Sequence, residues 1–493
     1  MPWMFGSRLA VLSLVTAPLA AQTTPSISPE AIGRHVTRLA ADSMLGRATP
    51  SRGLDRAARY AAGIFQSAGL VPLGDSGTFL QRYRILTTRI VPESSSVRLI
   101  GPPGASSSWR LGREVDWLPV GDLSPGVVSG PALVLTGLPA DSARPFGAMD
   151  ARGAIVIHFA RMTEEGGPEA PPWLFQAAAR AGVVGWIQVV QYDSTRWTNA
   201  VVARVRRPRT FVSGSREVAP FPTVEMRDEA ISGPLLEAGF ETAGLRPFPV
   251  PLPAAQWLPG YTIRLRLVER VVTRRAAPNV LALLPGTDTT GRGTLLVLAH
   301  LDGLGVGNPV GRDSIYNGAD DNASGVAAVL EAAKTLARGP RPARDIVFAL
   351  FSGTERQLAG AEYYLAHPVV PRGEVIGVIN VEAIGHAHKD SLVVIRGPAP
   401  TPLEGAVERT ARAHAATLGL TVVGDLHRQA RLWLEGDHSL FFGLGLPILY
   451  LYNGPHPKLH KPADDSGTID FPQTARIAQF LALLSHAAAT PIP

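Results

Sequence analysis

The sequence predicts an α/β protein with a mostly parallel sheet that helices cover on both faces. In the second half of the chain, short unbroken apolar runs alternate with helical patterns, which is typical of buried parallel strands. The 493 residues, 45% of them apolar and 18% charged, are sufficient for one large or several ordinary domains. The 50 glycines and 43 prolines favour many short turns between compact elements over long helical rods.

The first elements along the chain are two helices. Apolar residues between 29 and 70 recur at spacings of three and four, with a break at Gly46 and Arg47. Two helices that bracket a loop are therefore expected.

A block of different character follows. Short strands at 154–159 and 185–190 surround an alanine-rich helix at 174–181, and the polar loop at 163–172 is expected to be exposed. The block has few titratable groups that could act together, so we interpret it as an inserted or accessory domain.

The remaining elements form a regular alternation. A strand at 264–272 leads into another at 279–284, and the later elements are a strand at 294–299, a helix at 326–336 and strands at 345–351, 375–379, 391–395 and 447–451, with helices between them. In such sheets ligands bind beyond the carboxyl ends of the strands. The residues that follow the strands are therefore the candidates for function.

Composition excludes several kinds of chemistry. The absence of cysteine excludes disulfides, thiolate metal sites and cysteine nucleophiles, so any metal must be held by histidine and carboxylate. The formal charge of +6 comes mainly from arginine, and the densest arginine cluster, 204–209, is interleaved with valine and proline rather than with aromatic residues. We therefore expect no nucleic-acid partner.

The amino terminus has the proportions of a secretory signal peptide. Arg8 precedes an apolar stretch at 9–19, and small residues follow at Ala20 and Ala21. The stretch is too short to span a bilayer as a stable helix. We expect a signal peptide over 1–21 and a secreted or periplasmic protein without a stable membrane span after cleavage; the alternatives are a floppy cytosolic terminus and a retained anchor.

Histidine and acidic residues follow several of the predicted strands. The strand ends are succeeded by His300, Asp302, Glu355 and Glu382, a turn at 318–325 contains Asp321, and His456 or His460 follows the last strand. Burying several carboxylates together is costly unless a cation neutralises them. Zinc accepts both ligand types, and two zinc ions with one bridging carboxylate need about five side chains.

Several motifs make the chain similar to a known family. The segments 300–302 (HLD), 315–325 (IYNGADDNASG), 353–360, 380–385 (NVEAIG), 436–438 (GDH) and 456–460 (HPKLH) resemble, in order and spacing, the co-catalytic zinc exopeptidases that include secreted leucyl aminopeptidases. The resemblance covers 276 to the carboxyl terminus and extends loosely to 42–47 (DSMLGR). The segments around 150–157 and 177–185 are similar to the protease-associated domain.

The resemblance implies an architecture. It is a three-layer sandwich around a mostly parallel mixed sheet, with an inserted smaller α/β-type protease-associated domain. The expected divisions are a signal peptide at 1–21, an amino-terminal helical part of the peptidase domain at 22–119, the insert at 120–255 and the metallopeptidase catalytic domain at 256–493.

The resemblance also implies roles for single residues. His300 and Glu382 would hold one zinc, Glu355 and His460 the other, and Asp321 would bridge the two, although one bound zinc is an open alternative. Asp302 would orient the imidazole of His300. The other polar residues of these motifs are expected to be structural or at the surface: Asp320 in the turn, His456 as a competitor of His460, His438, His386 and His388.

Two positions depart from the family pattern. Thr354 stands where the family has the glutamate that acts as general base, and a threonine hydroxyl cannot accept a proton directly near neutral pH. Glu382 replaces an aspartate, which adds one methylene to a ligand. The leading hypothesis is a secreted zinc aminopeptidase acting on peptides with an altered or impaired base.

Other readings remain open. The first is an inactive homologue that binds peptide or metal, and the second is a different hydrolase or a cyclising acyl transferase on the same scaffold. The sequence has no Gly-x-Ser-x-Gly elbow and no His-Glu-x-x-His motif, so it supports neither serine-hydrolase nor that zinc-protease chemistry. Oligomeric state is not indicated.

Overall fold

The computed structural model describes residues 26–117, 126–141, 143–160, 170–199, 209–213, 221–242, 254–288, 293–386, 390–396, 401–425 and 436–490. The expected signal peptide, most of the loop at 163–172, the arginine cluster up to 208 and His388 lie outside these residues. Within them, no helix combines the length and the apolar character needed to cross a membrane.

The helices in the described part of the chain are α1 (Pro29–Leu39), α2 (Arg52–Ser67), α3 (Pro172–Arg180), α4 (Asp228–Glu237), α5 (Gly325–Arg338), α6 (Ala359–Ala366), α7 (Pro402–Thr410), α8 (Ala416–Leu418), α9 (His438–Phe442) and α10 (Phe471–Ala488). Local caps fix several starts. Ser28 accepts the backbone N–H of Ala31 at α1, and Ser51 accepts that of Leu54 at α2. Each cap satisfies a donor that the first turn leaves free.

The strands are β1 (Val71–Pro72), β2 (Leu80–Ile90), β3 (Ser96–Ile100), β4 (Ser106–Arg110), β5 (Val115–Trp117), β6 (Gly126–Thr136), β7 (Ile155–Phe159), β8 (Gly185–Val190), β9 (Arg209–Ser213), β10 (Thr223–Arg227), β11 (Ala254–Leu267), β12 (Glu269–Leu284), β13 (Thr294–His300), β14 (Gly305–Val310), β15 (Asp313–Tyr316), β16 (Asp345–Phe351), β17 (Val375–Glu382), β18 (Ser391–Arg396), β19 (Thr421–Asp425) and β20 (Ile448–Tyr452).

Most of these strands form two large sheets. The first has the order β19-β18-β20-β17-β13-β16-β12-β2-β9, with β1 paired to β12. The second has the order β4-β3-β11-β6-β7-β8-β10-β5, and β14 pairs with β15 as a separate hairpin. The prediction of an α/β protein is therefore confirmed at the level of a mixed α/β fold.

Alternate residues of the first sheet belong to two different apolar cores. Leu295 and Val297 of β13 pack in a cluster with residues of α1, α2, α5 and α10, whereas Leu296 and Leu298 pack in a cluster with residues of α6 and α9. Because successive side chains of a strand point to opposite faces, an unbroken apolar run is required where both faces are covered. All seven residues of β13 are buried accordingly.

The first sheet combines parallel pairs, at its centre and between β18 and β19 at one edge, with antiparallel pairs. The neighbours β16, β13, β17 and β20 run parallel, but β12, β2 and β9 extend the sheet with antiparallel pairs, and β18 pairs antiparallel with β20. The sheet is thus mixed rather than mostly parallel. The difference arises from β2, whose apolar residues alternate with Arg82 and Arg84 and form an antiparallel strand that a search for continuous apolar runs does not detect.

The second sheet is larger than the expected insert. It includes β3 to β5, which precede residue 120, and β11, which continues to Leu267. The segment 22–119 consequently contains strands besides its helices. The apolar residues of β3 and β11 pack in the same core as those of β7, so the sheet cannot be divided at 120 or 255 without exposing that core.

Candidate metal centre

Five side chains converge at one edge of the first sheet. His300 is the last residue of β13, Glu382 is the last of β17, and Glu355 lies in a turn directly after β16. Asp321 lies in the turn that leads into α5, and His460 follows β20. Since β13, β16 and β17 are parallel neighbours, their carboxyl ends lie together.

Asp321 lies at the middle of this group. Its Oδ1 is 3.0 Å from Nε2 of His300, and its Oδ2 is 2.8 Å from Nε2 of His460. Potential ligand atoms of His300, Asp321 and Glu382 all lie within 4.8 Å of one another, as do those of Asp321, Glu355 and His460. Two triads of nitrogen and oxygen ligands thus share one carboxylate.

This donor set fits divalent zinc. Zinc binds histidine nitrogen and carboxylate oxygen at about 2.0–2.2 Å, so atoms within a few ångströms of one another can share an ion. Oδ1 of Asp321 is buried and, among the described residues, makes no hydrogen bond of acceptable geometry although Nε2 of His300 is close. A cation between the two groups would satisfy both sets of lone pairs.

The two glutamates show the cost of gathering these carboxylates. In the metal-free protein, burial raises the pKa of Glu355 to about 7, and the charge of Asp321 adds to the shift. Burial also raises the pKa of Glu382 to about 7, with Asp321 and Asp437 contributing. The raised pKa values mean that the ionised forms of both glutamates are disfavoured. A bound divalent cation would favour the ionised forms.

The histidines and the shared aspartate show the opposite tendency. Burial alone would lower the pKa of His300, but Asp302 and Asp321 raise it well above the usual range. The nearby Asp321 raises the pKa of His460 to about 9. Burial alone would raise the pKa of Asp321, yet the facing imidazoles of His300 and His460 lower it. The shared carboxylate therefore stays ionised.

Asp302 supports the centre from behind. Its Oδ1 is 3.8 Å from Nδ1 of His300, an ion-pair rather than a hydrogen-bond distance, and accepts the backbone N–H of Thr354 at 3.2 Å. Its Oδ2 accepts the hydroxyl of Thr49 at 2.9 Å, and that hydroxyl in turn accepts the N–H of Gly353. Asp302 is fully buried and links β13 to the turn after β16.

A buried arginine lies beneath the same edge. Arg47 is 1% exposed, and its guanidinium donates to the carbonyls of Leu301, Leu39, Asn317 and Gly318. Burial lowers the pKa of Arg47, whereas nearby carboxylates, Asp302 first among them, counteract the shift. The side chain thus joins the segment after α1 to the turn that holds Asp321.

Two further aspartates fix the turn before α5. Oδ1 and Oδ2 of Asp464 accept the backbone N–H groups of Asp320 and Asp321 at 2.9 and 3.1 Å. Oδ1 of Asp320 accepts the hydroxyl of Ser324 and the N–H of Gly385. Asp320 is therefore a turn residue, as expected, that also joins the turn to the end of β17.

Thr354 has a polar partner that lies 83 residues later in the chain. Its hydroxyl donates to Oδ2 of Asp437 at 2.8 Å. Asp437 is 1% exposed, and burial raises its pKa to about 6. The position where the resemblance implies a general base thus holds a hydroxyl in contact with a buried carboxylate.

The other histidines of the motifs lie apart from the two triads. His456 lies 3.1 Å from Asp320 instead, its ring stacks on His386 with centroids 3.9 Å apart, and these two histidines approach Asp464 as a third group of possible ligands. His438 is buried, contacts Asn380 and stacks on Tyr450. Of the two histidines after β20, His460 is the one beside Asp321.

The supporting residues Arg47, Asp437 and Asp464 were not assigned roles from the sequence. Arg47 and Asp437 belong to the motifs at 42–47 and 436–438, and Asp464 follows shortly after the motif at 456–460. Spacing does not reveal which backbone or side-chain group such a residue contacts, because the contacts join distant parts of the chain.

The fold and the site together define an α/β protein with a candidate two-metal centre at the carboxyl ends of parallel strands. Residues 279–485 match the sequence profile of peptidase family M28. This range includes all five candidate ligands.

Curated relatives match parts of the chain. Leupeptin-inactivating enzyme 1 of Streptomyces exfoliatus is 28% identical over 178 residues, which is 36% of this chain and 36% of the relative. A probable zinc metalloprotease of Pyrenophora tritici-repentis is 27% identical over 256 residues, covering 43% of this chain and 52% of the relative. The chain thus spans about a third to a half of the length of these relatives.

Solved structures resemble the chain along most of its length. A zinc aminopeptidase from Bacillus subtilis has a TM-score of 0.48 at 15% identity, with 96% of this chain and 97% of that chain covered. An aminopeptidase from Aneurinibacillus sp. strain AM-1 has a TM-score of 0.47 at 16% identity, with 95% and 96% covered.

Proposed function

We propose that this protein is a zinc-dependent exopeptidase, of the aminopeptidase type, that hydrolyses peptides with two zinc ions. The observation that carries the proposal is the placement of Asp321 between His300 and His460, at 3.0 and 2.8 Å. A carboxylate that faces two imidazoles with its two oxygens matches the requirement of a bridging ligand. The family match over 279–485 supports the same class.

The proposed ligands are divided between the two ions. His300 and Glu382 would hold one zinc and Glu355 and His460 the other, with Asp321 shared. Bound zinc would polarise the scissile carbonyl and lower the pKa of the attacking water. Asp302 would keep the His300 ring oriented, since it lies 3.8 Å from the ring nitrogen that does not face Asp321.

The proposal extends to the architecture and the location of the protein. We propose a three-layer peptidase domain with a protease-associated insert, and we widen the insert to 96–267 because the second sheet spans those residues, apart from β9, which pairs with β2 of the first sheet. The signal-peptide pattern at 1–21 supports a secreted or periplasmic location. The substrates would be peptides with a free amino terminus, as the resemblance to secreted leucyl aminopeptidases implies.

A second candidate function is an inactive homologue that binds peptide or metal. Thr354 favours it, because general acid–base help is typically worth about 10² to 10⁴ in rate and threonine cannot supply it alone. Activity distinguishes the two candidates.

The test combines metal analysis with two substrates. The purified chain is expected to bind two zinc ions and to release nitroaniline from leucine p-nitroanilide but not from its N-acetyl derivative, since an aminopeptidase needs the free amine. Hydrolysis of both substrates would contradict the exopeptidase assignment. Zinc binding without any hydrolysis would favour the inactive homologue, and a chain that binds no zinc would contradict the metal centre.

A further inference from the structure

Thr354 and Asp437 together provide a hydroxyl and a buried carboxylate in hydrogen-bond contact. Resting on the proposed hydrolase function, we propose that the two residues form a proton relay, in which the hydroxyl of Thr354 passes a proton from the attacking water to the buried carboxylate of Asp437. The pair would take the place of the single glutamate that the resemblance leads one to expect after β16.

The geometry of Thr354 suits a relay. Its hydroxyl already donates to Oδ2 of Asp437 at 2.8 Å, so the lone pairs of Oγ1 are free to accept a second hydrogen bond. Its backbone N–H donates to Oδ1 of Asp302 at 3.2 Å, and this hydrogen bond holds the backbone of Thr354 in place. Thr354 is half-buried and directly precedes Glu355, one of the candidate ligands.

The surroundings of Asp437 suit a proton acceptor. The side chain is 1% exposed, and its Oδ1 makes no hydrogen bond within the part of the chain that the structure describes. A buried carboxylate with one oxygen satisfied and the other free is poorly stabilised as an anion, so gaining a proton costs it little. Among the described side chains, the hydroxyl of Thr354 is the group that hydrogen-bonds to Asp437.

The backbone beside Asp437 is held close to the metal centre. Gly436 has a φ of +77°, and a Cβ atom there would lie 3.1 Å from Oε2 of Glu382. Glycine therefore permits an approach that a larger residue would hinder. This approach brings a carboxylate 83 positions away into reach of Thr354.

The relay balances without any further reactant. As the attacking water forms its bond to the carbonyl carbon, one water O–H bond breaks and its proton bonds to Oγ1 of Thr354. The original hydroxyl proton of Thr354 moves to Oδ2 of Asp437 at the same time. In the second half, the proton returns from Asp437 through Thr354 to the leaving nitrogen as the C–N bond breaks. Threonine stays neutral throughout, so its high pKa is no obstacle.

The test uses zinc-loaded full-length variants and leucine p-nitroanilide. Asp437→Asn and Thr354→Val are each expected to lower kcat by about 10² to 10⁴ with little change in KM, since each interrupts the relay. Thr354→Ser, which keeps the hydroxyl, is expected to remain within about threefold of the parent. The double variant Thr354→Val/Asp437→Asn is expected to be no slower than either single variant, because residues that act as a unit are not additive.

The effect of Asp437→Asn is also measured in the Thr354→Glu variant, and this comparison is decisive. A glutamate at this position can accept the proton directly, so Asp437→Asn should cost far less there than in the parent. Asp437→Asn that is equally harmful in both backgrounds would indicate a structural role and would overturn the relay.

A readout independent of turnover completes the test. Zinc affinity measured by chelator competition should change by less than about tenfold in Asp437→Asn, below the range typical of a lost outer-sphere partner. When leucine hydroxamate binds the zinc-loaded parent, infrared difference spectra should show a newly protonated carboxyl group that is absent from Asp437→Asn. The same band in both proteins would contradict Asp437 as the acceptor.

The outcomes separate the relay from the proposed function. If the parent hydrolyses the substrate and both Asp437→Asn and Thr354→Val retain its kcat within about threefold, the relay alone is wrong. If the zinc-loaded parent shows no hydrolysis, the proposed function fails and the relay with it. Should Asp437→Asn fail to fold, Thr354→Val and Thr354→Ser still decide, because neither changes a charge.

Discussion

Nε2 of His300 lies 3.0 Å from Oδ1 of Asp321, and the two side chains are only 2% and 6% exposed. In this position the carboxylate has little access to water and depends on its neighbours for stabilisation. The imidazoles of His300 and His460 provide part of this stabilisation in the metal-free protein, and the proposed cations would provide the rest.

Asp321→Asn should therefore abolish binding of two zinc ions. The amide keeps the shape of the side chain but removes the charge that both triads share. The loss of zinc affinity should therefore exceed the roughly 10- to 100-fold loss that is typical when an outer-sphere partner is removed. Metal analysis after dialysis measures it. Asp150→Asn is the matched control, because Asp150 is 75% exposed and lies in the loop before β7. Retention of two ions by Asp321→Asn would contradict the bridging role.

Removal of metal should make stability depend on pH. In the folded metal-free chain the pKa values of Glu355 and Glu382 are about 7, above the ordinary glutamate value of 4.5, so the folded state binds more protons than the unfolded state between these values. The free energy of unfolding should thus fall as pH rises through this range. The raised pKa values of His300 and His460 act in the same direction at higher pH, since their contribution is lost as they deprotonate.

Denaturant unfolding of the chelated chain from pH 5 to 8 checks this, with the zinc-loaded chain as the control. Zinc should flatten the dependence, because bound cations keep the carboxylates ionised. Glu382→Gln should reduce the slope of the chelated chain. If the stability of the chelated chain rose with pH over this range, the carboxylates of Asp321, Glu355 and Glu382 could not lie close together.

Much of the fold could be predicted because its central strands are continuous apolar runs. The predicted strands 185–190 and 345–351 agree with β8 and β16 residue for residue, and the predicted helix at 326–336 lies within α5. The antiparallel strands β2 and β12 were less visible, since charged residues interrupt their apolar pattern. These two strands pair with each other although they lie nearly 200 residues apart in the sequence. A local sequence pattern does not encode strand pairing at such a separation.

The candidate ligands could be predicted from their positions after strands, whereas their supports could not. His300 and Glu382 end neighbouring parallel strands, so the topology alone brings them together. The hydrogen bond between Thr354 and Asp437 joins the turn after β16 to the start of α9, and the four carbonyls around Arg47 come from three separate segments. Such contacts follow from tertiary packing.

Arg47→Met should destabilise the protein strongly. The substitution removes the buried cation and leaves carbonyls of Leu39, Leu301, Asn317 and Gly318 without their donor. Each buried group left unsatisfied costs about 1–3 kcal/mol, and breaking a buried charge contact costs about 3–5 kcal/mol. Arg47→Lys should also be harmful, since an ammonium cannot reproduce the planar fork.

The free energy of unfolding from denaturant titration measures the effect of Arg47→Met. Arg152→Met is the control, because the side chain of Arg152 is 83% exposed and the change should stay within about 0.5 kcal/mol. Equal stability of the two variants would show that the buried guanidinium does not hold the turn of Asp321 in place.

Asp302→Asn should weaken zinc binding without unfolding the chain. An amide at this position keeps an oxygen that can accept the hydroxyl of Thr49 or the N–H of Thr354, but it removes the negative charge 3.8 Å from His300. Loss of such an outer partner typically costs about 10- to 100-fold in metal affinity. Chelator competition measures the affinity, and denaturant unfolding of the metal-free protein provides the control for structure.

Thr49→Val separates the charge of Asp302 from its hydrogen bond, because it removes the hydrogen bond and leaves the charge. It should reduce zinc affinity less than Asp302→Asn does. If Thr49→Val were the more harmful change, Asp302 would act by holding the turn after β16 rather than by orienting the imidazole.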